Sequence, residues 1–385
     1  MDRRRFITTS GIGAAAAAAG VLTNGRPGSS PVEAQAQRPG AGARQQILCR
    51  LGSNCNAYSE AELLRVGRFG VTTIVSGVQR ADANNLGVTR EDLLKMRELP
   101  EKHGIKVSVL TPPQLGSSHI DREANPYIML GKSPERDREI EGFQTTIRNA
   151  AAAGIPCIKY NMSLLGVLRT GRAEGRADTS FSHSDLEVAK ERNKTLALTR
   201  AGVVTADMYW ERITYFLERV VPVANEYRVR LACHPNDSIV PDGGYQGIDP
   251  VLSRPEGLKR FVTIQDSPYH GLNLCLGVLS QMHMNPAEQI WEPLTWLASR
   301  KKIFNIHFRN IKGNRLKFSE VAPDEGEADF TRAVLVLAQN GYDGHITPDH
   351  NVSAEGDNTG GQAYNAFVYG YIAASIKAAG RQMNT

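Results

Sequence analysis

Short apolar runs alternate with segments of helical spacing along most of the chain, and this rhythm restricts the fold more than any other feature. Eight such runs occur, at 46–51, 72–76, 105–110, 155–160, 229–233, 272–276, 303–308 and 345–348. Strands that alternate with helices form parallel sheets, and eight units favour a closed barrel over an open doubly wound sheet. No GxGxxG segment follows the first run, which removes the usual dinucleotide-binding alternative. The sequence therefore predicts an α/β fold with a single (β/α)₈ TIM barrel.

The segments between the runs carry signals for the start and end of helices. Ser59 with Glu62 fits a capping box at one helix start, and Thr89 with Asp92 is a weaker version at the next. A glycine near each of the early helix ends precedes the following apolar run. The stretch 163–205 is rich in charge and poor in apolar repeats, so we interpret it as a long loop over the active rim.

The N-terminus resembles a twin-arginine export signal. Arg3 and Arg4 precede Phe6 and an alanine-rich apolar stretch, and a small-residue cleavage site fits at 34–36. The stretch is too short for a comfortable membrane span, and a disordered alanine-rich tail is the alternative interpretation.

This interpretation divides the chain into three parts: a signal peptide at 1–36, a flexible linker at 37–45 and a TIM-barrel catalytic domain at 46–385. The mature protein is expected to be periplasmic or otherwise extracytoplasmic, exported already folded by the twin-arginine route. It stays tethered to the membrane if the signal is not cut, and we expect no other membrane contact.

Charge and cysteine content narrow the class of protein further. The formal charge of +5 falls to +3 without residues 1–36, and no basic run is interleaved with aromatic residues, so we expect no nucleic-acid partner. The five cysteines are odd in number and scattered, which argues against a disulfide framework, although Cys49 and Cys55 could pair in an oxidising compartment. One globular enzyme for a small-molecule substrate fits this composition, and a homo-oligomer is compatible with it.

Four side chains that can bind a metal stand at the ends of successive apolar runs. They are His234, Cys275, His307 and Asp349, separated by 41, 32 and 42 residues. In a parallel barrel these positions reach the same rim, which is where such barrels place their chemistry. Two imidazoles, a thiolate and a carboxylate form a divalent-metal site of borderline softness. Each residue alone is compatible with a purely structural role, and their coincidence at four strand ends is what favours the metal site.

The alternation of side chains along strands selects residues beside this site. Arg309 shares a face with His307 and could fork onto a substrate carboxylate. Lys159 and Asn161 share a face of the fourth strand, and Arg169 follows in the loop. Rim salt bridges are the alternative for the two arginines, and an ion pair in the barrel floor is the alternative for Lys159.

Taken together, these residues resemble the mannonate dehydratases, metal-dependent barrels related in architecture to xylose isomerase. The matching pieces are His234-Pro235-Asn236-Asp237, Leu274-Cys275-Leu276-Gly277, His307-Phe308-Arg309, Phe318-Ser319-Glu320, Pro348-Asp349-His350 and Tyr364. The resemblance covers nearly the whole mature chain and is densest from 229 to 370. It implies a xylose-isomerase-like barrel whose four ligands hold Mn²⁺ or Fe²⁺, with Zn²⁺ as a further candidate. It also implies proton transfer by His350 and Tyr364, and it adds Asn236 to the substrate-binding residues.

The activity implied by the resemblance is that of a carbon–oxygen lyase, converting D-mannonate to 2-keto-3-deoxy-D-gluconate and water. The sequence departs from the family at Ser319, where members usually carry histidine, and at Asn351-Val352, where they carry a Gly-His pair. These departures bear on substrate identity. Two alternatives remain, a sugar isomerase or epimerase of the same barrel class and a non-catalytic exported sugar-acid binder. The isomerases and epimerases typically bind metal through Glu and Asp at several strand ends, whereas this chain offers a cysteine.

Overall fold

Strands and helices alternate along the chain in the computed structural model, which describes residues 46–237, 239–350, 352–357 and 362–385. The strands in chain order are β1 (Arg50–Leu51), β2 (Ser53–Asn54), β3 (Thr73–Gly77), β4 (Lys106–Thr111), β5 (Cys157–Asn161), β6 (Gly171–Glu174), β7 (Thr179–Asp185), β8 (Arg230–His234), β9 (His270–Cys275), β10 (Ile303–Phe308), β11 (Asn310–Asn314), β12 (Lys317–Val321), β13 (His345–Pro348) and β14 (Ser353–Ala354). The helices are α1 (Glu60–Gly67), α2 (Arg90–Lys102), α3 (Tyr127–Leu130), α4 (Glu135–Ala152), α5 (Leu186–Asn193), α6 (Ala206–Tyr227), α7 (Pro255–Ile264), α8 (Leu276–Gln281), α9 (Pro286–Gln289), α10 (Trp291–Ser299), α11 (Phe330–Gln339) and α12 (Gln362–Gln382).

Nine of the strands form one parallel barrel in the order β1-β13-β10-β9-β8-β5-β4-β3-β2. The first predicted strand is divided in two, because β1 pairs with β13 while β2 pairs with β3, and this division joins the ends of the sheet. Gly52 lies at the division and donates its N–H to the carbonyl of Ile346 at 3.0 Å. A Cβ at Gly52 would lie 2.9 Å from the Cβ of His345, so only glycine fits here without a shift. The predicted α/β barrel is confirmed, with its first strand shared between two neighbours.

The helix starts follow the predicted caps only in part. The Ser59 hydroxyl accepts the N–H of Glu62 at 3.4 Å, and the Thr89 hydroxyl accepts the N–H of Asp92 at 3.1 Å. The acidic side chains do not complete the box: the Glu62 carboxylate accepts the N–H of Asn56 at 3.0 Å instead. The cap residues therefore begin the helices, while the carboxylates tie down the preceding loops.

Aromatic side chains join the outer helices to the barrel wall. Phe143 of α4, Phe216 of α6 and Tyr160 of β5 are fully buried. Their ring centroids lie 5.2 to 5.7 Å apart in edge-on or tilted arrangements, which is the preferred geometry of aromatic pairs. These contacts hold the α4–α6 pair against β5 and so fix the position of Asn161 at the end of that strand.

A small apolar cluster fills the interior of the barrel and separates its two ends. Val75, Val109, Cys157, Ala232 and Phe304 come from five different strands and form a cluster distinct from the main core between barrel and helices. We call these five residues the inner plug. The inner plug makes the barrel a packed core, so that the two ends can carry independent sites.

The interpretation of 163–205 as a long loop is wrong. This stretch contains β6, β7 and α5, and β7 pairs with β6, β12 and β14 in a second, antiparallel sheet that also contains β11. The partner strand β12 lies more than 130 residues further along the chain, and pairing at that distance leaves no trace in a local apolar pattern. Many of the charged side chains that suggested a loop lie on the largely exposed strand β6 and on the solvent-facing side of α5.

Two further expectations concern cysteines and the N-terminus. All five cysteines are buried free thiols, so the pairing of Cys49 with Cys55 is not formed. The predicted signal peptide (1–36) and linker (37–45) lie outside the described residues. Within the described ranges, no helix combines the length and apolar character needed to cross a bilayer.

Truncation of the aromatic contact between α4 and β5 should destabilise the barrel. We expect Phe143→Ala to lower the free energy of unfolding by about 3–5 kcal/mol, because it removes a fully buried ring and leaves a cavity. Leu94→Ala, at a position of α2 that is 36% exposed, should change it by only about 0.5 kcal/mol. Denaturant unfolding of both variants measures the difference, and equal costs would contradict the described packing.

Candidate metal centre and active site

The four predicted metal ligands lie at the carboxyl ends of neighbouring barrel strands. His234 ends β8, Cys275 ends β9, His307 is next to last in β10, and Asp349 directly follows β13. In the parallel register of β9 and β10, Cys275 pairs with His307, so these two residues lie at the same height in the barrel. One potential ligand atom from each side chain lies within 4.8 Å of the others. The structure thus brings together side chains that are far apart in the sequence.

The donor atoms of this cluster fit a divalent ion. His307 is 3% exposed, its Nδ1 lies 3.4 Å from an Asp349 oxygen, and neither ring nitrogen makes a hydrogen bond to any described residue. Its ring centroid lies 5.0 Å from that of His234, whose Nδ1 donates to the carbonyl of Pro235 at 2.7 Å and leaves Nε2 free to bind. A buried imidazole without a hydrogen bond is costly. A cation bound by the two imidazoles, the Cys275 sulfur and the Asp349 carboxylate would satisfy those nitrogens.

The protonation states of the cluster also suit a metal. Burial lowers the pKa of both His234 and His307, which keeps the imidazoles neutral. Burial would raise the pKa of Asp349, but His307 and Arg309 hold it well below its ordinary value. Burial raises the pKa of the Cys275 thiol to about 12. A cation must therefore displace the thiol proton, so that binding strengthens as the pH rises.

Arg309 lies at the centre of a buried charge network beside the cluster. Its guanidinium is 2.9 Å from the Glu320 carboxylate, 3.4 Å from Asp349 and 3.9 Å from Asp237, measured between nearest nitrogen and oxygen atoms. Arg169 joins the same network, with one nitrogen 3.1 Å from Asp237 and another in a short contact with Glu320. Both arginines thus form rim salt bridges, the alternative considered for them, and Arg309 also lines the cavity described below.

Glu320 and Asp237 are site residues that the sequence analysis named only within matching pieces of the family resemblance, without giving either a role. Glu320 lies on β12, and its side chain is 3% exposed between Arg309 and His350. Burial would raise its pKa, yet Arg309 and the hydrogen bond from His350 lower it to about 2. A carboxylate inside the strand segment KFSEV was the available signal, because a charged residue in a buried strand needs a partner of opposite charge.

The Glu320 carboxylate holds His350 at the edge of the site. The Nδ1 of His350 lies 2.9 Å from Glu320 Oε2 and 3.0 Å from an Arg309 nitrogen. Burial would lower the pKa of His350, but the hydrogen bond to Glu320 and the charge of Asp349 raise it above its ordinary value. With Nδ1 donating to Glu320, Nε2 remains available to exchange a proton with a bound molecule.

A cavity of about 170 Å³ opens over three of the four proposed ligands. Lys159, Asn161 and Asn236 line it together with the ligands His234, His307 and Asp349. Burial lowers the pKa of Lys159, while nearby Asp349 opposes the shift. The Asn236 amide is already engaged, since it donates to the carbonyl of Met162 at 3.1 Å. Lys159 and Asn161 are therefore the better placed of these three side chains to contact a substrate.

Tyr364 is not among the residues that line this cavity. It lies near the start of α12, where its ring packs edge-on against Phe367 with centroids 5.8 Å apart. Burial raises the pKa of its hydroxyl, and the nearby Arg176 opposes the shift. A role for Tyr364 in proton transfer stays a prediction.

Fold and site together define a xylose-isomerase-like barrel protein with a candidate metal centre at its active rim. A family model described as D-mannonate dehydratase (UxuA) matches residues 185–377. A mannonate dehydratase of Thermotoga neapolitana is 30% identical over 292 residues, which cover 68% of this chain and 77% of that protein. The chain belongs to the D-mannonate dehydratase family, a family of hydro-lyases, and the resemblance found in the sequence is confirmed.

Solved structures give the same fold. The crystal structure of mannonate dehydratase from Streptococcus suis serotype 2 superposes with a TM-score of 0.71 at 22% identity, covering 87% of this chain and 95% of that one. A xylose isomerase domain protein from Planctomyces limnophilus superposes with a TM-score of 0.54 at 14% identity, covering 87% and 99%. At these identities the likeness shows the fold, and it confirms the predicted xylose-isomerase-like barrel.

Replacement of the proposed thiolate ligand should weaken metal retention. We expect Cys275→Ser to lose most bound metal on dialysis, because it removes the softest ligand and a full negative charge. Its affinity should also lose the rise with pH that displacement of the thiol proton gives the wild type. Cys233→Ser, at the neighbouring buried cysteine, is the matched control. Elemental analysis and chelator competition at two pH values test this, and full retention in Cys275→Ser would remove Cys275 from the site.

Proposed function

We propose that this protein dehydrates a sugar acid, with D-mannonate as the first candidate and 2-keto-3-deoxy-D-gluconate and water as products. The observation that carries the proposal is that a cluster of four potential metal ligands lies beside one cavity, which a buried arginine and a carboxylate-held histidine also line. The ligand set includes a cysteine and no glutamate, which favours the lyase over the isomerases and epimerases of this barrel class. The mannonate dehydratase of Thermotoga neapolitana, which is 30% identical, supports the substrate class.

The reaction breaks the C–H bond at carbon 2 and the C–O bond at carbon 3 of a hexonate. Water leaves, and the enol that remains tautomerises to the 2-keto-3-deoxy acid. A divalent ion held by His234, Cys275, His307 and Asp349 supplies Lewis-acid stabilisation of the charge that develops on the substrate carboxylate. We propose Mn²⁺ or Fe²⁺ for this ion, with Zn²⁺ as an alternative that the same donors accept.

The side chains around the cavity divide the remaining tasks. His350 exchanges a proton through Nε2, because Glu320 holds Nδ1. Lys159 and Asn161 line the cavity and orient the hydroxyl and carboxylate groups of the substrate. Arg309 adds positive charge at the substrate carboxylate, and its network with Glu320 and Asp237 fixes its position. Tyr364 is proposed as the second proton-transfer group on the strength of the family resemblance.

A panel of hexonates tests the proposal. Metal-loaded protein should release a 2-keto-3-deoxy acid from D-mannonate, and metal-depleted protein should not. Conversion of ketohexoses into one another without such an acid would favour an isomerase or epimerase. Binding of hexonates without formation of any product would favour the alternative of a non-catalytic sugar-acid-binding protein.

Loss of the proposed proton-transfer groups should slow the chemical step. We expect His350→Ala and Tyr364→Phe each to lower kcat by about 10²–10⁴-fold, while the metal content of the protein stays unchanged. His103→Ala, at a histidine paired with Glu60 outside the cavity, is the control and should keep wild-type kcat. Near wild-type turnover of Tyr364→Phe would remove that residue from the mechanism.

A lysine at position 309 should weaken substrate binding. We expect Arg309→Lys to raise KM about tenfold or more, because a lost charge-assisted hydrogen bond costs about 1.5–3 kcal/mol and an ammonium cannot fork onto a carboxylate. Steady-state kinetics with metal content measured in parallel tests this. An unchanged KM with a lowered kcat would instead indicate an interaction made only in the transition state.

We also propose export by the twin-arginine route, supported by Arg3, Arg4 and the alanine-rich stretch that follows them. Replacement of both arginines by lysine should trap the full-length precursor in the cytoplasm, whereas the wild type should appear in the periplasm or tethered to the membrane. Cell fractionation with immunodetection measures this, with Arg5→Lys alone as the control. Equal export of the double variant would contradict the twin-arginine route.

A further inference from the structure

A second cavity, of about 330 Å³, lies at the opposite end of the barrel from the candidate active site. Its lining includes Thr73, Lys106, Arg230 and His345, which are the first residues of β3, β4, β8 and β13. Phe304 of the inner plug forms part of its floor, so the plug separates this cavity from the metal-binding cluster. The volume falls in the range of small-molecule sites.

The side chains around this cavity carry an excess of positive charge. Its lining contains two carboxylates, those of Glu101 and Asp343, and four cationic side chains, those of Arg50, Arg97, Lys106 and Arg230. Both carboxylates already have partners.

Two cations therefore remain without a carboxylate partner. Asp343 accepts two hydrogen bonds of 2.9 Å from Arg230, and Glu101 accepts two, of 2.8 and 2.5 Å, from Arg97. Arg50 bonds only to backbone carbonyl oxygens, and the Lys106 ammonium has no hydrogen bond or ion pair with any residue in the described ranges.

Polar groups without full pairing lie below these charges. Thr73 is 4% exposed, and its hydroxyl has no hydrogen-bond partner among the described residues. The Ser108 hydroxyl is already paired, since it donates to the carbonyl of Ile74 at 3.2 Å and lies 3.3 Å from His345 Nδ1. Burial and the charge of Arg50 lower the pKa of His345 to about 4, so its imidazole is neutral at physiological pH. A buried hydroxyl without a partner is unfavourable, and an oxygen-rich ligand in the cavity would supply one.

We propose that this cavity binds a small dianion whose charges are carried by oxygen atoms, of which phosphate and dicarboxylates are two sources. Lys106 and Arg50 neutralise the two charges at the rim, and the hydroxyl of Thr73 donates to a ligand oxygen at the floor. Barrels of this class place their chemistry at the other rim, so the site serves binding rather than the reaction.

Titration calorimetry of the full-length, metal-loaded protein tests the proposal. Inorganic phosphate and succinate are titrated separately at pH 7, with ionic strength held constant by sodium chloride. Saturable binding of either anion is expected, and the preferred one assigns the source of the charges. Lys106→Gln and Arg50→Gln should each weaken binding about tenfold, as removal of one close opposite charge does near a protein surface.

Matched variants distinguish binding in this cavity from binding elsewhere on the protein. Lys95→Gln removes an exposed lysine of α2 that does not line the cavity, and it should leave the affinity unchanged. Positions 50 and 106 are exposed, so both test variants should keep the wild-type melting temperature. Absence of saturable binding would overturn the proposal. So would wild-type affinity in both Lys106→Gln and Arg50→Gln, or loss of binding in Arg309→Lys alone, which would place the anion at the active rim.

Discussion

The burial of one guanidinium, that of Arg309, is the interaction on which the active rim depends. The side chain is 3% exposed and has the carboxylates of Glu320, Asp349 and Asp237 around it. A buried charge that loses its partner costs several kcal/mol, so each of these carboxylates is confined to a narrow range of positions. Gly277 makes the arrangement possible, because a Cβ there would lie 2.6 Å from Arg309 Nε. Through this one group, β12 and the segments that follow β8, β10 and β13 hold each other in place.

The antiparallel sheet supplies what the barrel alone lacks. The barrel strands deliver the metal-binding side chains, whereas β12 delivers Glu320, which holds His350 and Arg309. Partners of this kind orient the groups that act on the substrate, and their loss costs activity even though they do not touch it. The same sheet places His183 of β7 2.9 Å from the hydroxyl of Ser319, at one of the positions where the sequence departs from its family. The imidazole of His183 thus lies beside Ser319, the position at which family members usually carry a histidine.

Much of the barrel was predictable because its signals are local. Apolar runs of strand length, glycines after helices and the cap residues Ser59 and Thr89 act within a few residues, and the strand ends at His234, Cys275 and His307 follow from them. The antiparallel sheet was not predictable in this way, since β7 gains its stability from pairing with β12 across a long sequence distance. The role of Glu320 was not predicted for the same reason: its importance comes from the charges that surround it in three dimensions. The split of the first strand was missed because a two-residue strand has no periodicity to detect.

That split has a consequence for how the protein is made. Arg50 of β1 pairs with His345 of β13, so the barrel closes only between residues near the two ends of the described domain. During synthesis β1 and β2 leave the ribosome first, yet β1 has no neighbour until nearly the whole chain has followed. Until then the nascent chain exposes unpaired strand edges, which invite aggregation. The proposed twin-arginine route, which exports only folded proteins, would suit such a chain, because closure would be completed in the cytoplasm before export.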